Sequence, residues 1–173
     1  MNKIKNLLII LSTLVTIIGS IYIYIQYNLA RYSVYYASHM PRREGTRPEL
    51  VMAVENKSIV DNPNTDYVYF NEEINHTIYI SANAYFTNGL DGYYLRVNKQ
   101  SRLYFYHTDL SGKFLNYSSI NDNKNEEPLD KEMLQEIEDI LAPATEDLIK
   151  AQKTPTINLQ GLFNRKYEAR FNE

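Results

Sequence analysis

The chain has 173 residues, with 18 basic and 21 acidic side chains and a formal charge of −3 at neutral pH. This length accommodates one domain with an appendage, and the small negative charge gives no basis for expecting a nucleic-acid partner. Because the chain has no cysteine, a disulfide framework, a thiol nucleophile and cysteine-ligated metal centres are excluded.

The first 27 residues have the pattern of a membrane anchor. Lys3 and Lys5 precede a stretch from Leu7 to Ile25 that carries no charge. As a helix this stretch is about 28 Å long, close to the ~30 Å hydrocarbon thickness of a bilayer. Lysines on the near side favour a cytoplasmic N-terminus. We therefore predict that residues 1–27 are a signal-anchor helix that crosses the cell membrane once and leaves the rest of the chain extracellular.

A cleaved signal peptide is the alternative to this anchor. Gly19-Ser20 is the only loose match to a cleavage site, and such a site needs small residues after a shorter apolar stretch. The bulky residues 21–25 that follow it favour an uncleaved helix. Arg31, Arg42 and Arg43 on the far flank oppose the predicted orientation, although they lie further from the span.

The remaining chain divides at a proline-bounded segment. We expect residues 28–48 to be a stalk or linker, because "PRREGTRP" (41–48) has a proline at each end and prolines end helices. An extracytoplasmic α+β domain is then predicted over residues 49–173. Its first element, "ELVMAV" (49–54), is a short apolar run typical of a buried strand.

Residues 66–120 have the pattern of an antiparallel β-meander. Residues 66–73 and 74–86 are predicted strands, and the second alternates apolar and polar side chains along its whole length. "TNGLDG" (87–92) supplies Asn-Gly and Asp-Gly turn signals. The hairpin 93–106 and the strand 114–120 complete four or five consecutive strands.

The period changes to that of a helix after Glu127. Met133, Ile137, Leu141, Ala144 and Leu148 recur at helical spacing, and Pro143 predicts a kink or two helices meeting at Ala142. Asn158 is a candidate cap for a short last helix. The predicted fold class is therefore α+β: an N-terminal transmembrane helix, then an antiparallel meander packed on one face by C-terminal helices.

The hairpin "YYLRVNKQSRLYFY" (93–106) is apolar or aromatic on both faces. If the aliphatic residues face inward, Val97 pairs with Leu103 across an odd-length loop. Tyr94 then opposes Tyr106 on the outer face, beside Arg96. With neighbouring strands, this register predicts one exposed partner-binding surface, made of Tyr79, Tyr85, Tyr94, Arg96, Tyr104, Tyr106 and Tyr117.

This surface has two interpretations. Tyrosine has high strand propensity and keeps its hydroxyl in water, so the surface has a purely structural explanation. Alternatively, a contiguous tyrosine-rich patch with an arginine has the composition of a protein-binding site, and the anchor favours this second interpretation.

Catalytic motifs are absent from the sequence. His76 and His107 are predicted to lie on the inner face as core residues, and His39 is distant from both. No zinc-protease, serine-hydrolase or nucleotide-binding motif occurs. "NDNKNEE" (121–127) spaces oxygen ligands as a calcium loop does, but it lacks the glycine and the final glutamate that such a loop needs. We predict no catalytic residue, no metal site and no cofactor.

Residues 122–147 carry ten acidic side chains against Lys124 and Lys131. One interpretation is a solvated helix whose acids and following bases suit the helix dipole. The other is an acidic surface that steers a basic partner.

Taken together, the "MNKIKNLLII" anchor, the tyrosine-rich meander, the acidic helix and the ending "INLQGLFNRKYEARF" (157–171) resemble the TipC family of immunity proteins. The resemblance lies in overall organisation. It implies a non-enzymatic inhibitor on the outer membrane face of a Gram-positive cell. Its partner would be a cognate toxin, exported by type VII secretion, that attacks cell-wall lipid precursors.

Two other hypotheses remain open at this point. The first is a non-catalytic sensory or assembly ectodomain that binds a small ligand or a membrane protein. The second is an enzyme that uses His76 or His107 with a nearby carboxylate, which requires contact within ~3 Å or through one water.

Overall fold

The computed structural model describes residues 2–120 and 126–172, which form five α-helices and seven β-strands. The helices are α1 (Asn2–Arg31), α2 (Ser33–Ser38), α3 (Pro48–Glu55), α4 (Lys131–Ala151) and α5 (Gln160–Phe171). The strands are β1 (Val68–Tyr69), β2 (Thr77–Ile80), β3 (Ala84–Asn88), β4 (Tyr93–Lys99), β5 (Arg102–Thr108), β6 (Phe114–Ser119) and β7 (Glu127–Pro128).

The strands form one antiparallel sheet in which their order along the chain is their order in space. Every connection is therefore between neighbouring strands, as in a meander. Helices α3 and α4 contact β1, β2 and β3, and the inward side chains Ile78, Phe86 and Leu95 are fully buried. The predicted α+β class is confirmed.

Helix α1 is the apolar N-terminal element. The part from Ile4 to Arg31 is long and apolar enough to cross a membrane, and its side chains from Leu7 to Ile18 are exposed. From Asn28 onward its side chains enter the core of the domain. The apolar segment and the folded domain are therefore joined by continuous helix.

Residues 28–48, expected to be a stalk or linker, pack into the domain instead. Leu29, Val34, Tyr36 and Ala37 are all buried in the main hydrophobic cluster. Pro41 follows the end of α2 and Pro48 begins α3, but the aromatic and aliphatic side chains before Pro41 supply core surface. The folded unit consequently begins in the last turns of α1.

The "ELVMAV" segment is a helix rather than the predicted first strand. Pro48 occupies the first turn of α3, where its missing N–H costs nothing. Residues 48–54 are all buried, so α3 lacks the polar face that normally reveals helical period. The carboxylate of Glu49 is buried but accepts hydrogen bonds from Arg42 at 2.5 and 2.6 Å.

The predicted single strand 74–86 is two strands with a turn between them. Ser81 has a positive φ of 62°, and Ile80 pairs with Ala84 across a three-residue loop. A loop of odd length keeps Ile78, Ile80, Ala84 and Phe86 on the inner face. The alternation of apolar and polar side chains therefore continues through the turn, and the sequence pattern does not reveal the turn.

The β4–β5 hairpin has a different register from the predicted one. Val97 pairs with Tyr104, and Leu95 pairs with Tyr106. The loop has two residues, Gln100 and Ser101, with φ values of 46° and 65°, as a type I′ turn requires. Tyr104 and Tyr106 therefore face inward, while Leu103 and Phe105 face outward.

The C-terminal helices follow the predicted pattern closely. Ile137, Leu141, Ala144 and Leu148 of α4 are buried, and α4 runs as one helix through Pro143. Asp130 caps its start by accepting a hydrogen bond from the Met133 N–H at 2.8 Å. Leu159, not Asn158, is the N-cap residue of α5, and the Asn158 side chain accepts from the Gln160 N–H instead.

Candidate functional site

The outward face of the sheet carries a row of large side chains that crosses five strands. Cross-strand pairing places Tyr69 beside Tyr79, Tyr79 beside Tyr85, Tyr85 beside Arg96, and Arg96 beside Phe105. Tyr94 lies two residues along from Arg96, on the same side of the strand. We call this set the open aromatic face: Tyr69, Tyr79, Tyr85, Tyr94, Arg96 and Phe105.

Ring contacts hold the first part of this face. The rings of Tyr69 and Tyr79 stack with their centroids 4.7 Å apart, and Tyr79 lies 5.9 Å from Tyr85. Arg96 donates a hydrogen bond to the Tyr85 hydroxyl at 2.7 Å, and its guanidinium carbon lies 5.1 Å from the ring centre. The arginine is thereby fixed against an aromatic neighbour, as a cation–π contact favours.

Tyr94 connects this row to a more polar part of the sheet. Its ring contacts Phe105 edge-on at 5.8 Å and lies 6.3 Å from the ring of His107. A ring nitrogen of His107 shares a hydrogen bond of 3.1 Å with the Ser118 hydroxyl. Partial burial raises the pKa of Tyr94 above its ordinary value.

The open aromatic face is partly accessible in every strand that contributes to it. Burial alternates along β4, where Tyr93, Leu95 and Val97 are buried while Tyr94 and Arg96 are half-buried. Tyr69 at the edge of the sheet is 37 % exposed. The rings shield one another from the side and present their outer surfaces to solvent.

Only four of the seven predicted surface residues lie on this face: Tyr79, Tyr85, Tyr94 and Arg96. Tyr104, Tyr106 and Tyr117 lie on the inner face, because the two-residue turn shifts the hairpin register by one position. Sequence reasoning missed Tyr69 and Phe105. The spacing of aliphatic residues favoured the wrong register, and no Asn-Gly pair marked the turn at Gln100.

The three inward tyrosines form a structural cluster beside the start of α4. Tyr104 and Tyr106 have nearly parallel rings 6.3 Å apart, and both lie within 6.4 Å of Tyr117. Tyr106 is 1 % exposed. The Tyr117 hydroxyl donates to Glu127 at 2.5 Å, which raises the pKa of Tyr117 to about 12. These contacts account for the cluster without any ligand.

A cleft adjoins the open aromatic face at the β3–β4 turn. Its volume is about 790 Å³, and Tyr94 and His107 belong to its wall. Leu90 and Leu115 add exposed apolar surface, and Asn116 adds an amide. The cleft is open to solvent and extends the face with both apolar and polar side chains.

The histidines do not occupy the inner positions predicted for them. His107 faces outward beside Tyr94, and His76 is an exposed turn residue with a φ of 54°. His39 stacks on Tyr35 at 4.4 Å. Within residues 2–120 and 126–172, no three His, Asp or Glu side chains converge on a metal position. Most of the calcium-loop candidate, residues 121–125, lies outside the described residues.

Much of the acidic charge on α4 is neutralised within the chain. Glu136 pairs with Lys99, Glu138 pairs with Arg47, and Glu146 pairs with Lys150 one turn later. These contacts support the interpretation of α4 as a solvated helix that packs its apolar side on the sheet.

No protein-family model matches this chain, and no significantly similar curated protein or solved structure was found.

Proposed function

We propose that this protein is a membrane-anchored, extracytoplasmic binding protein of the immunity class, which occludes a secreted antibacterial protein toxin without catalysis. The observation that carries the proposal is the open aromatic face. Tyrosine and arginine are, with tryptophan, the side chains most enriched among residues that dominate protein–protein binding energy, and here they form one continuous patch with Phe105.

The face is also pre-organised for binding. Arg96 is held by Tyr85, and Tyr69 stacks on Tyr79, so these side chains lose little rotational freedom when a partner covers them. Reducing that entropic cost raises affinity without adding contacts. A strand-borne surface of this kind suits a tight inhibitor better than a mobile loop would.

The N-terminal helix fits the same role. A toxin that acts outside the membrane has to be bound outside it. Tethering the inhibitor raises its local concentration at the membrane surface where the toxin acts. The part of the chain after Lys5 carries 16 basic and 21 acidic residues. Its net negative charge would speed association with a basic toxin surface.

The resemblance to TipC-family immunity proteins adds the class of target. It implies a type VII secretion toxin directed at cell-wall lipid precursors in a Gram-positive cell. The resemblance rests on the order of the apolar N-terminal helix, the meander and the helical C-terminus.

Capture with the full chain in lipid nanodiscs tests the proposal. The nanodiscs would be exposed to proteins secreted by the source organism and its near relatives. We expect one stoichiometric protein that resists salt washing, and expect cells expressing the full chain to survive that protein. Turnover of a wall precursor by the nanodisc-bound chain alone would contradict a non-enzymatic role.

A matched pair of variants then locates the contact. Tyr85→Ala removes a central ring of the face, whereas Leu162→Ala removes an exposed apolar side chain from α5. We expect Tyr85→Ala to weaken binding by roughly tenfold or more, about 1.4 kcal/mol, and Leu162→Ala to leave it unchanged. Equal affinities for both variants would place the contact elsewhere.

The cleft favours a second candidate function, an ectodomain that senses a small ligand or assembles with a membrane protein. Its volume of about 790 Å³ lies in the range of small-molecule sites. This candidate predicts that Leu115→Ala alters ligand-induced thermal stabilisation and that Tyr79→Ala, outside the cleft, does not.

A further inference from the structure

The segment between α4 and α5 is attached to the end of the anchor helix. The side-chain amide of Asn28 donates a hydrogen bond to the Ile157 carbonyl at 3.2 Å. The Tyr36 hydroxyl lies 3.3 Å from the same carbonyl and accepts from the Leu159 N–H at 3.0 Å. These hydrogen bonds therefore hold Ile157 at the same height along the α1 axis as Asn28.

The apolar stretch of α1 sets that level relative to a bilayer. Its last residue is Ile25, three residues before Asn28, and three residues of helix rise about 4.5 Å. The headgroup layer on each side of the ~30 Å hydrocarbon core is roughly 5–7 Å thick. When the apolar stretch spans the core, Asn28 and Ile157 consequently lie within the headgroup layer.

The exposed side chains of this segment suit that environment. Ile157 is 52 % exposed even though its carbonyl is held in place. Thr154, Thr156 and Asn158 beside it are exposed and uncharged. A single exposed isoleucine is common on the surface of a soluble protein. At headgroup depth, however, its side chain can reach the hydrocarbon core of the bilayer.

The charge of the surrounding chain is opposite to that of the rest of the domain. No acidic residue occurs from Leu148 to Tyr167, and that stretch contains four basic ones. Lys153, four residues before Ile157, is exposed. Lysines near an anionic leaflet are attracted to its surface, whereas unpaired acidic side chains at this level would be repelled.

We propose that residues 152–159 form a second membrane contact, in which Ile157 inserts at headgroup depth and Lys153 meets the phosphates of anionic lipids. This inference rests on the membrane-anchoring part of the proposed function. Because α1 continues without a break into the domain, two contacts restrict tilting of the domain on the bilayer. The open aromatic face would then be presented in one orientation.

The absence of cysteine makes a depth measurement direct. Single cysteines at Ile157, Val15 and Gln100 would each carry an environment-sensitive fluorophore on the full chain in nanodiscs of phosphatidylglycerol and phosphatidylcholine. Val15 reports the middle of the span and Gln100 the tip of a hairpin. We expect label 157 to be blue-shifted relative to label 100 and quenched by nitroxides near the headgroups, but not by nitroxides at the chain ends.

The control labels separate two kinds of failure. If label 15 is quenched by deep nitroxides while label 157 behaves like label 100, the anchor is correct and the second contact is refuted. If label 15 is unquenched, the anchor itself fails and the second contact fails with it. A cysteine at the neighbouring exposed Thr156 repeats the measurement should the Ile157 variant fold poorly.

The lipid charge provides an independent readout. Lys153→Gln should reduce quenching at label 157 in bilayers that contain phosphatidylglycerol and should have no effect in pure phosphatidylcholine. Lys113→Gln, an exposed lysine of the β5–β6 turn, is the matched control and should change neither. Equal effects of the two variants would contradict a specific contact by Lys153.

Discussion

Tyr36 donates a buried hydrogen bond from its hydroxyl to the side-chain oxygen of Asn28 at 2.7 Å. Asn28 belongs to the apolar N-terminal helix, and Tyr36 belongs to α2 at the centre of the domain core. The same asparagine donates to Ile157. One polar side chain of the N-terminal helix thus links it to two parts of the domain, α2 and the segment between α4 and α5, and Arg31 adds an ion pair with Asp61 one turn later.

The first prediction concerns this link. Asn28→Ala removes two hydrogen bonds, one from the Tyr36 hydroxyl and one to the Ile157 carbonyl. At about 0.5–1.5 kcal/mol each, their loss costs about 1–3 kcal/mol. We expect the free energy of unfolding of the full chain in detergent to fall by that amount, measured by chemical denaturation. Asn98→Ala, at an exposed strand position, is the control and should change it little. Equal stabilities would mean that α1 and the domain are not coupled.

The β4–β5 turn gives the second prediction. Ser101 has a φ of 65°, a conformation that costs a residue with a Cβ roughly 1–2 kcal/mol and glycine almost nothing. Ser101→Gly should therefore raise the unfolding free energy by about 1 kcal/mol. Asn98→Gly in the adjoining strand should lower it, because glycine in a strand interior is unfavourable. A loss of stability in both variants would rule out the type I′ turn.

The third prediction concerns Gly112, in the turn after β5. Its φ is 78°, and an added Cβ would lie 2.9 Å from the Arg47 Cβ at the start of α3. Gly112→Ala should cost about 1–3 kcal/mol through backbone strain and this contact. Gly161→Ala, in α5 where the new methyl group would enter open space, should be neutral or stabilise by up to ~1 kcal/mol. Thermal unfolding of the two variants measures the difference.

Alkaline pH should unfold the protein through its inner tyrosines, which is the fourth prediction. Burial raises the pKa of Tyr106, and burial with a hydrogen bond to Glu55 raises that of Tyr93. The hydrogen bond to Glu127 raises the pKa of Tyr117 to about 12. Above a pH of about 10, the unfolded chain loses protons that the native state retains, so stability falls. Below that pH these groups are neutral in both states.

Tyr106→Phe isolates one of these titrations. The variant should lose stability less steeply between pH 10 and pH 12 than the parent chain, as measured by denaturant midpoints at each pH. Tyr67→Phe changes an exposed loop tyrosine and should leave the slope unaltered. Identical pH slopes for the parent and both variants would refute a contribution from Tyr106.

The success and failure of the sequence analysis have a common physical origin. Turn residues and strand composition predicted the meander, and the spacing of Ile137, Leu141 and Leu148 predicted α4 because the opposite face of that helix is polar. α3 has no polar face, so its helical period is invisible. The three-residue loop that contains Ser81 preserves the alternation of apolar and polar side chains, so the sequence pattern does not reveal it.

The register of the β4–β5 hairpin shows the same limit at the candidate site. Phe105 and Tyr106 are both aromatic, so either satisfies an inward position by hydrophobicity alone. The choice is made by the positive φ of Gln100 and Ser101 and by the space that Tyr106 fills beside α4. Neither the backbone conformation of the turn nor the space beside α4 can be inferred from residue type alone. A one-residue slip reverses every side chain of a strand, and for this reason three of seven predicted surface residues changed face.

The last prediction uses this reversal to separate binding from stability. Tyr94 and Tyr106 belong to the same hairpin, yet Tyr94 is half-buried on the open aromatic face while Tyr106 is 1 % exposed. Removing a buried aromatic side chain costs about 3–5 kcal/mol, so Tyr106→Ala should lower the unfolding free energy by that order. Tyr94→Ala should cost far less stability and should weaken partner binding instead. Tyr106→Phe, which keeps the ring, should leave binding intact. Calorimetric titration and thermal unfolding of the three variants measure both quantities. If Tyr94→Ala reduces stability and affinity in the same proportion as Tyr106→Ala, the outward tyrosines serve the sheet alone.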